Sequence, residues 1–117
     1  MDITSAEQKL TRWVAFRSGL TVDRQVLRGE LPAGMPGVRV RFISGHTGNS
    51  ALSEFVAEVR GVFAEPDEAR DFAGAVWGAL PSYGPEGLTA LTATGDVVFA
   101  EEDGWFTATG RIRTVFA

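Results

Sequence analysis

The chain has no cysteine, so disulfide staples, thiolate metal ligation and thiol nucleophiles are all excluded. Histidine occurs once, as His46, and Lys9 is the only lysine beside ten arginines. Any general-base chemistry would have to rest on that one imidazole or on carboxylates. No apolar run approaches the ~20 residues that a membrane helix needs. The opening MDITSAEQKL carries an acid where a secretory signal would carry a basic region and an apolar stretch, so synthesis and residence in a cytoplasm are expected. Excess positive charge is lacking too: 11 basic against 15 acidic residues give a net charge of −4. That balance opposes a coat of bound phosphates and direct sequence-specific nucleic-acid recognition.

What is present is ordinary globular composition, 44% hydrophobic and 22% charged. A chain of 117 residues fits one domain, 1–117, with one modest core. The segment ITSAEQKLTRWVAFRSGL reads as an amphipathic helix. Thr4 and Glu7 have capping-box spacing, Ala6, Leu10, Trp13, Val14 and Arg17 share a side with Phe16 beside them, and Gly19 ends the helix. RQVLRGELP reads as a short strand, closed by Pro32, Gly34, Pro36 and Gly37. In GVRVRFIS, Val38, Val40 and Phe42 face one way and Arg39 and Arg41 the other. A polar loop, SGHTGNS, separates this strand from a second alternating run around Phe55, Ala57, Val59, Gly61 and Phe63, which predicts an antiparallel hairpin.

A second helix is expected to start at Pro66. The missing N–H of proline costs nothing in a first turn, and Asp67 and Glu68 suit the positive end of the helix dipole. Its buried stripe is Ala69, Phe72, Ala73 and Val76, with Trp77 at the edge, and Pro81 stops it. Its many alanines and glycines allow close approach to two surfaces, one within the chain and one between chains. The last third reads as strands: LTALTATGD, then DVVFAEED, then WFTATGRIRTVFA after a turn at Glu102, Asp103 and Gly104. Gly110 interrupts the last run and marks a bulge there. The order predicts an α+β fold, a mostly antiparallel β-sheet with two helices packed on one face.

Candidate chemistry is sparse. His46 lies near Ser44, Thr47 and Ser50, but spacing alone makes no triad, and a polar residue at a hairpin tip accounts for it. The same loop lacks the lysine and the spacing of a phosphate-binding loop. Glu101, Glu102 and Asp103 could offer oxygens to a hard cation, yet neighbouring strand residues point to opposite faces, so at most part of the trio converges. No catalytic residue, cofactor site or metal site is assigned.

The run EFVAEVRGVFAEPDEARDFAGAVWGAL, followed by a loop and LTALTATGDVVFAEEDGWFTATGRIRTVFA, resembles the tail-terminator and minor capsid (tail-completion) proteins of long-tailed bacteriophages. The resemblance rests on Val59, Arg60 and Gly61 in a strand entering a helix through Pro66, Asp67, Glu68 and Ala69. It continues through Leu80 and Gly84 to the final turn at Asp103 and Gly104, and covers roughly 38–117. It implies a cofactor-free structural subunit, a homo-oligomer closing into a hexameric ring. That ring would end the tail tube, touching the major tail tube protein on one side and head-tail connector proteins on the other. The protein would reside in the virion tail or neck, and in the host cytoplasm during assembly.

A ring needs a heterologous interface, in which one side of a subunit fits its other side. Arg39 and Arg41 on one strand, Arg111 and Arg113 on another, and the acidic tip Glu101, Glu102 and Asp103 are candidates for it, the tip meeting an arginine row of the neighbour. Solvated faces are the alternative for all of them. Exposed ion pairs contribute only ~0–1 kcal/mol, so apolar anchors must carry the contact, and Trp77 and Trp105 are candidates whose alternative is core placement. The final strand, running to Ala117 without a protecting proline, is a second route to assembly if it lies at a sheet edge. A small non-catalytic adaptor or binding module is the competing reading, and a small enzyme the third. Mass in solution separates the first two; a concave pocket joining His46 or the acidic trio to a polar partner would mark the enzyme.

Overall fold

The computed structural model describes residues 2–21, 26–29, 36–47, 53–82 and 88–116. Within them the elements run α1 (Ile3–Ser18), β1 (Val26–Arg28), β2 (Gly37–Thr47), β3 (Ser53–Phe63), α2 (Pro66–Trp77), β4 (Leu88–Glu102) and β5 (Trp105–Phe116). The strands form one sheet in the order β1-β2-β3-β5-β4. β1 lies parallel to β2, and every other neighbouring pair is antiparallel. α1 packs over β1 and β2, α2 over β3 and β5, and the helices touch each other. The fold is α+β, with both helices on one face of the sheet.

Helix α1 starts two residues earlier than the capping-box spacing suggests. Asp2, not Thr4, is the N-cap, and its carboxylate accepts from the Ser5 N–H at 2.7 Å. Hydrogen bonds from the Ser5 amide and hydroxyl hold the Asp2 carboxyl below its usual value. A folded pKa below the unfolded one makes the cap's contribution complete above the unfolded value and lost as pH falls through the folded one. Asp2→Ala should therefore speed amide exchange at Ser5 at neutral pH. In the parent chain the same loss should need acidification below the ordinary carboxylate range, and Asp2→Asn should keep the cap without that pH dependence. Glu7, the supposed box partner, instead accepts from the Phe42 N–H at 2.9 Å and pairs with Arg28, tying α1 to the sheet. Gly19 ends the helix in the left-handed region at φ 72°. Phe16 does not join the docked side; it is 79% exposed.

The core lies between the helices and one face of the sheet. β3 alternates buried Phe55, Ala57, Val59 and Gly61 with partly exposed Val56, Glu58 and Arg60, as its period of two requires. Phe42, Phe55 and Phe116 stack in parallel across β2, β3 and β5, with ring centroids 5.2 Å and 5.6 Å apart along the row. Phe63, Phe72 and Trp77 make a second aromatic group under α2. Ala69, Phe72, Ala73 and Val76 are the buried stripe of α2.

Three features of the C-terminal half depart from the sequence reading. LTALTATGD and DVVFAEED are one strand, β4, bent by a register shift between Thr94 and Val98 where Gly95 takes φ 75°. Gly110 pairs with Val59 in register, and the bulge at its position lies across from it on β4, between Thr94 and Val98, and not in β5 itself. A Cβ at position 110 would sit 2.6 Å from Trp77 Cζ2, so the glycine makes room for an indole laid across the sheet. Finally, β5 is not an edge: it lies between β3 and β4, and Phe116 is 1% exposed. The outer strand on that side is β4. The turn at Asp103 (φ 52°) and Gly104 (φ 82°) is the expected two-residue hairpin loop, with both residues at positive φ.

Candidate functional site

The face of the sheet away from the helices carries the polar half of every alternation. Rows across it read Arg39, Arg60, Thr109, Val98; then Arg41, Glu58, Arg111, Thr94; then Ser44, Val56, Arg113, Thr92. The two arginine rows expected from the sequence thus share one face, separated by β3. They are not free rows waiting for a partner. Glu58 lies 3.5 Å from Arg41, and Glu54 pairs with Arg113. Arg39 is half-buried against the sheet, and that burial holds its guanidinium below its ordinary value.

The acidic tip divides as the strand period requires. By register Glu101 shares the helix side with Phe106, while Glu102 stands on the bare face and pairs with Arg60. Asp103 occupies the turn. So the tip does meet an arginine, but one of its own chain. Sequence alone marks Arg60 only as part of a strand, because the alternation of β3 shows which way it points and not what it meets. Trp105 is half-buried beside the tip, where it borders a depression with Leu20, Gly37, Val62 and Phe63. Trp77 is half-buried against the core, its ring edge-on to Phe72 and laid over Gly110.

Among the described residues no cluster of three His, Asp or Glu side chains is placed to hold a metal ion. The His46 side chain, Ser50 and Tyr83 lie outside the described residues. No described helix is long and apolar enough to cross a membrane.

What the sequence reading missed is where the exposed apolar surface lies. Among the described residues the large exposed hydrophobics are Ile3, Phe16, Ile43, Val98 and Phe99. The first two are on α1, Ile43 on β2 and the last two on β4. All five sit on the two flanks of the sheet, none on β3, α2 or β5. By register Val98 lies on the bare face opposite Thr109, and Phe99 on the helix side opposite Ala108, where it borders a depression with Pro66, Ala69 and Arg70. Adjacent valine and phenylalanine in a strand normally mean that one of them is core. Only the strand order, with β4 outermost, reveals that neither is.

The fold and its bare, ion-paired face thus define a class: a small α+β subunit with helices covering one side of an antiparallel sheet and its largest apolar side chains on the sheet's flanks. A chain from a solved structure described as the virion of a native gene transfer agent particle has this fold. The two superpose with a TM-score of 0.51 at 16% sequence identity, over 92% of this chain and 94% of that one. No family model matches the chain, and no curated protein does.

Proposed function

We propose that the chain is a structural subunit of a phage-type virion, a tail terminator or close tail-completion relative, that acts by assembling and not by catalysis. The observation that carries this reading is the shared fold with a virion chain along nearly the whole length of both. At that identity the likeness speaks for the fold, and the role is our inference from it. Exposed apolar side chains on both sides of the sheet, Phe16 and Ile43 on one and Val98 and Phe99 on the other, would supply the two unlike surfaces that a head-to-tail contact requires. In this role the subunit forms a ring, expected as a hexamer, that contacts the tail tube on one side and head-tail connector proteins on the other, and it needs no cofactor.

The test is mass in solution followed by imaging. Six copies of a 12.5 kDa chain give a particle of about 75 kDa. Light scattering at that mass, with six-fold rings under the electron microscope, is the expected result, alone or on addition of purified tail tubes. A chain that stays monomeric and leaves tube ends unoccupied would refute the terminator role.

A further inference from the structure

The two flanks that carry the exposed apolar side chains are also opposite in charge. From Leu88 to Asp103, β4 and its turn hold Asp96, Glu101, Glu102 and Asp103 and not one lysine or arginine. The start of the neighbouring helix adds Glu65, Asp67, Glu68 and Asp71 against Arg70. On the far flank the balance reverses. The described residues of α1, β1 and β2, with the Asp2 cap, carry Lys9, Arg12, Arg17, Arg28, Arg39 and Arg41 against Asp2 and Glu7. Arg12 and Arg17 are exposed on the same helix as Phe16. A chain of net charge −4 is therefore polarised across its sheet, acidic at the β4 flank and basic at the α1 flank.

From this we infer that the β4 edge of one copy docks on the α1–β1–β2 flank of a second copy. The inference rests on the assembly reading above and names the surfaces it uses. Two arguments select this occupant. First, β4 is a fifteen-residue outer strand; Ser82 bridges its outer side at Leu91, and Val98 and Phe99 lie further along, beyond that bridge. Val98 and Phe99 project from its two faces, so a partner that straddles the edge covers both. Second, charge decides which partner. Two β4 edges brought together would set Asp96, Glu101 and Asp103 of one copy against the same carboxylates of the other, Glu102 being paired with Arg60, and like charges across strands repel. The basic flank removes that repulsion and supplies Phe16 and Ile43 as apolar counterparts. Repulsion against the wrong pairing and attraction to the right one together specify a head-to-tail contact. Such a contact repeats from copy to copy, and the angle between successive copies determines whether the series closes into a ring.

The absence of cysteine makes a direct test clean. Val98→Cys, Arg12→Cys and the double variant are prepared in the full chain and treated at high concentration with a short bismaleimide that bridges two thiols. The expected result is a 98-to-12 product when the two single variants are mixed, and a ladder of linked chains from the double variant. Each single variant alone should give little dimer, and high salt should reduce the yield. Products joining 98 to 98, or no excess over a control cysteine on the bare face at Val56, two strands away from β4, would overturn the inference. The assembly reading is judged separately: rings without 98-to-12 links sink the docking surface alone, whereas links without rings sink the ring and leave the surface. Phe99→Asp is the second variant. Phe99 is half exposed, so the fold should hold by circular dichroism while the yield of 98-to-12 product falls at least several-fold; an undiminished yield counts against the proposal.

Discussion

Phe116→Ala is expected to lower the stability of the chain by about 3–5 kcal/mol, the usual cost of truncating a buried aromatic. Phe116 is 1% exposed and stacks on Phe55 at 5.6 Å. Its ring lies 6.4 Å from Phe42, so one truncation opens a void beneath three strands. The loss has two parts: the transfer energy of the ring, and the dispersion contacts that its neighbours lose because a rigid sheet cannot collapse to refill the space. Urea unfolding monitored by circular dichroism measures it. The midpoint should fall steeply with little change in slope. Phe116 is the penultimate residue, so removing the last two residues should do at least as much damage, taking with it the pairings of Phe116 to Ser53 and to Leu88. A truncated chain that keeps the parent midpoint would show that β5 ends outside the core.

That expectation inverts the one drawn from sequence, and the reason is instructive. The run WFTATGRIRTVFA declares itself a strand by its alternation, and without a protecting proline it reads as a candidate edge. Pairing, however, is decided by the path of the chain. β4 arrives after the α2 crossover and lands outside β5 through a two-residue turn, which leaves the C-terminal strand sandwiched between β3 and β4. Local pattern carried the elements well: the start of α2 at Pro66, the β2–β3 hairpin, the sides of Val38, Val40 and Phe42, the glycine turn at Asp103 and Gly104. It failed where the deciding contact was remote in sequence. The Asp2 cap prevails over the Thr4–Glu7 spacing because Glu7 is drawn away to the Phe42 amide, thirty-five residues on.

The candidate surfaces show the same division. Arg39, Arg41, Arg111 and Arg113 were visible as the polar side of two strands, and they do share a face. Glu54 and Glu58, the partners of Arg113 and Arg41, stand in plain view on β3, but only the strand order puts β3 between the two rows. Exposed pairs of this kind contribute about 0–1 kcal/mol each, so the bare face is a means of keeping the sheet solvated and in register more than a source of stability. The apolar flank residues were hidden for the opposite reason: Val98 and Phe99 look like core until the outer position of β4 is known. Charge enters the sequence reading only as a net −4, whereas the residues in order run from mostly basic to mostly acidic and back to basic. It became a vector only when β5, with Arg111 and Arg113, folded back inside β4.

Trp77 and Gly110 provide the sharpest measure of how a side chain offered as an interface anchor can belong to the interior. Gly110→Val should destabilise the chain by about 1–3 kcal/mol, because the added atoms enter space held by the indole. Trp77→Ala should cost about 3–5 kcal/mol if the ring is as integral as its contacts with Phe72 and Gly110 indicate. The decisive measurement is the double variant. If the two positions meet, the larger side chain at 110 refills part of the space that the indole vacates, and the combined loss falls short of additivity by about 0.5–3 kcal/mol. Two independent sites would add. Assembly gives the second readout: because Trp77 lies inward, Trp77→Phe should leave the Val98 to Arg12 docking surface as competent as the parent at temperatures where the fold is intact. An assembly defect in that variant, with unfolding midpoint unchanged, would return Trp77 to the subunit boundary and remove it from the core.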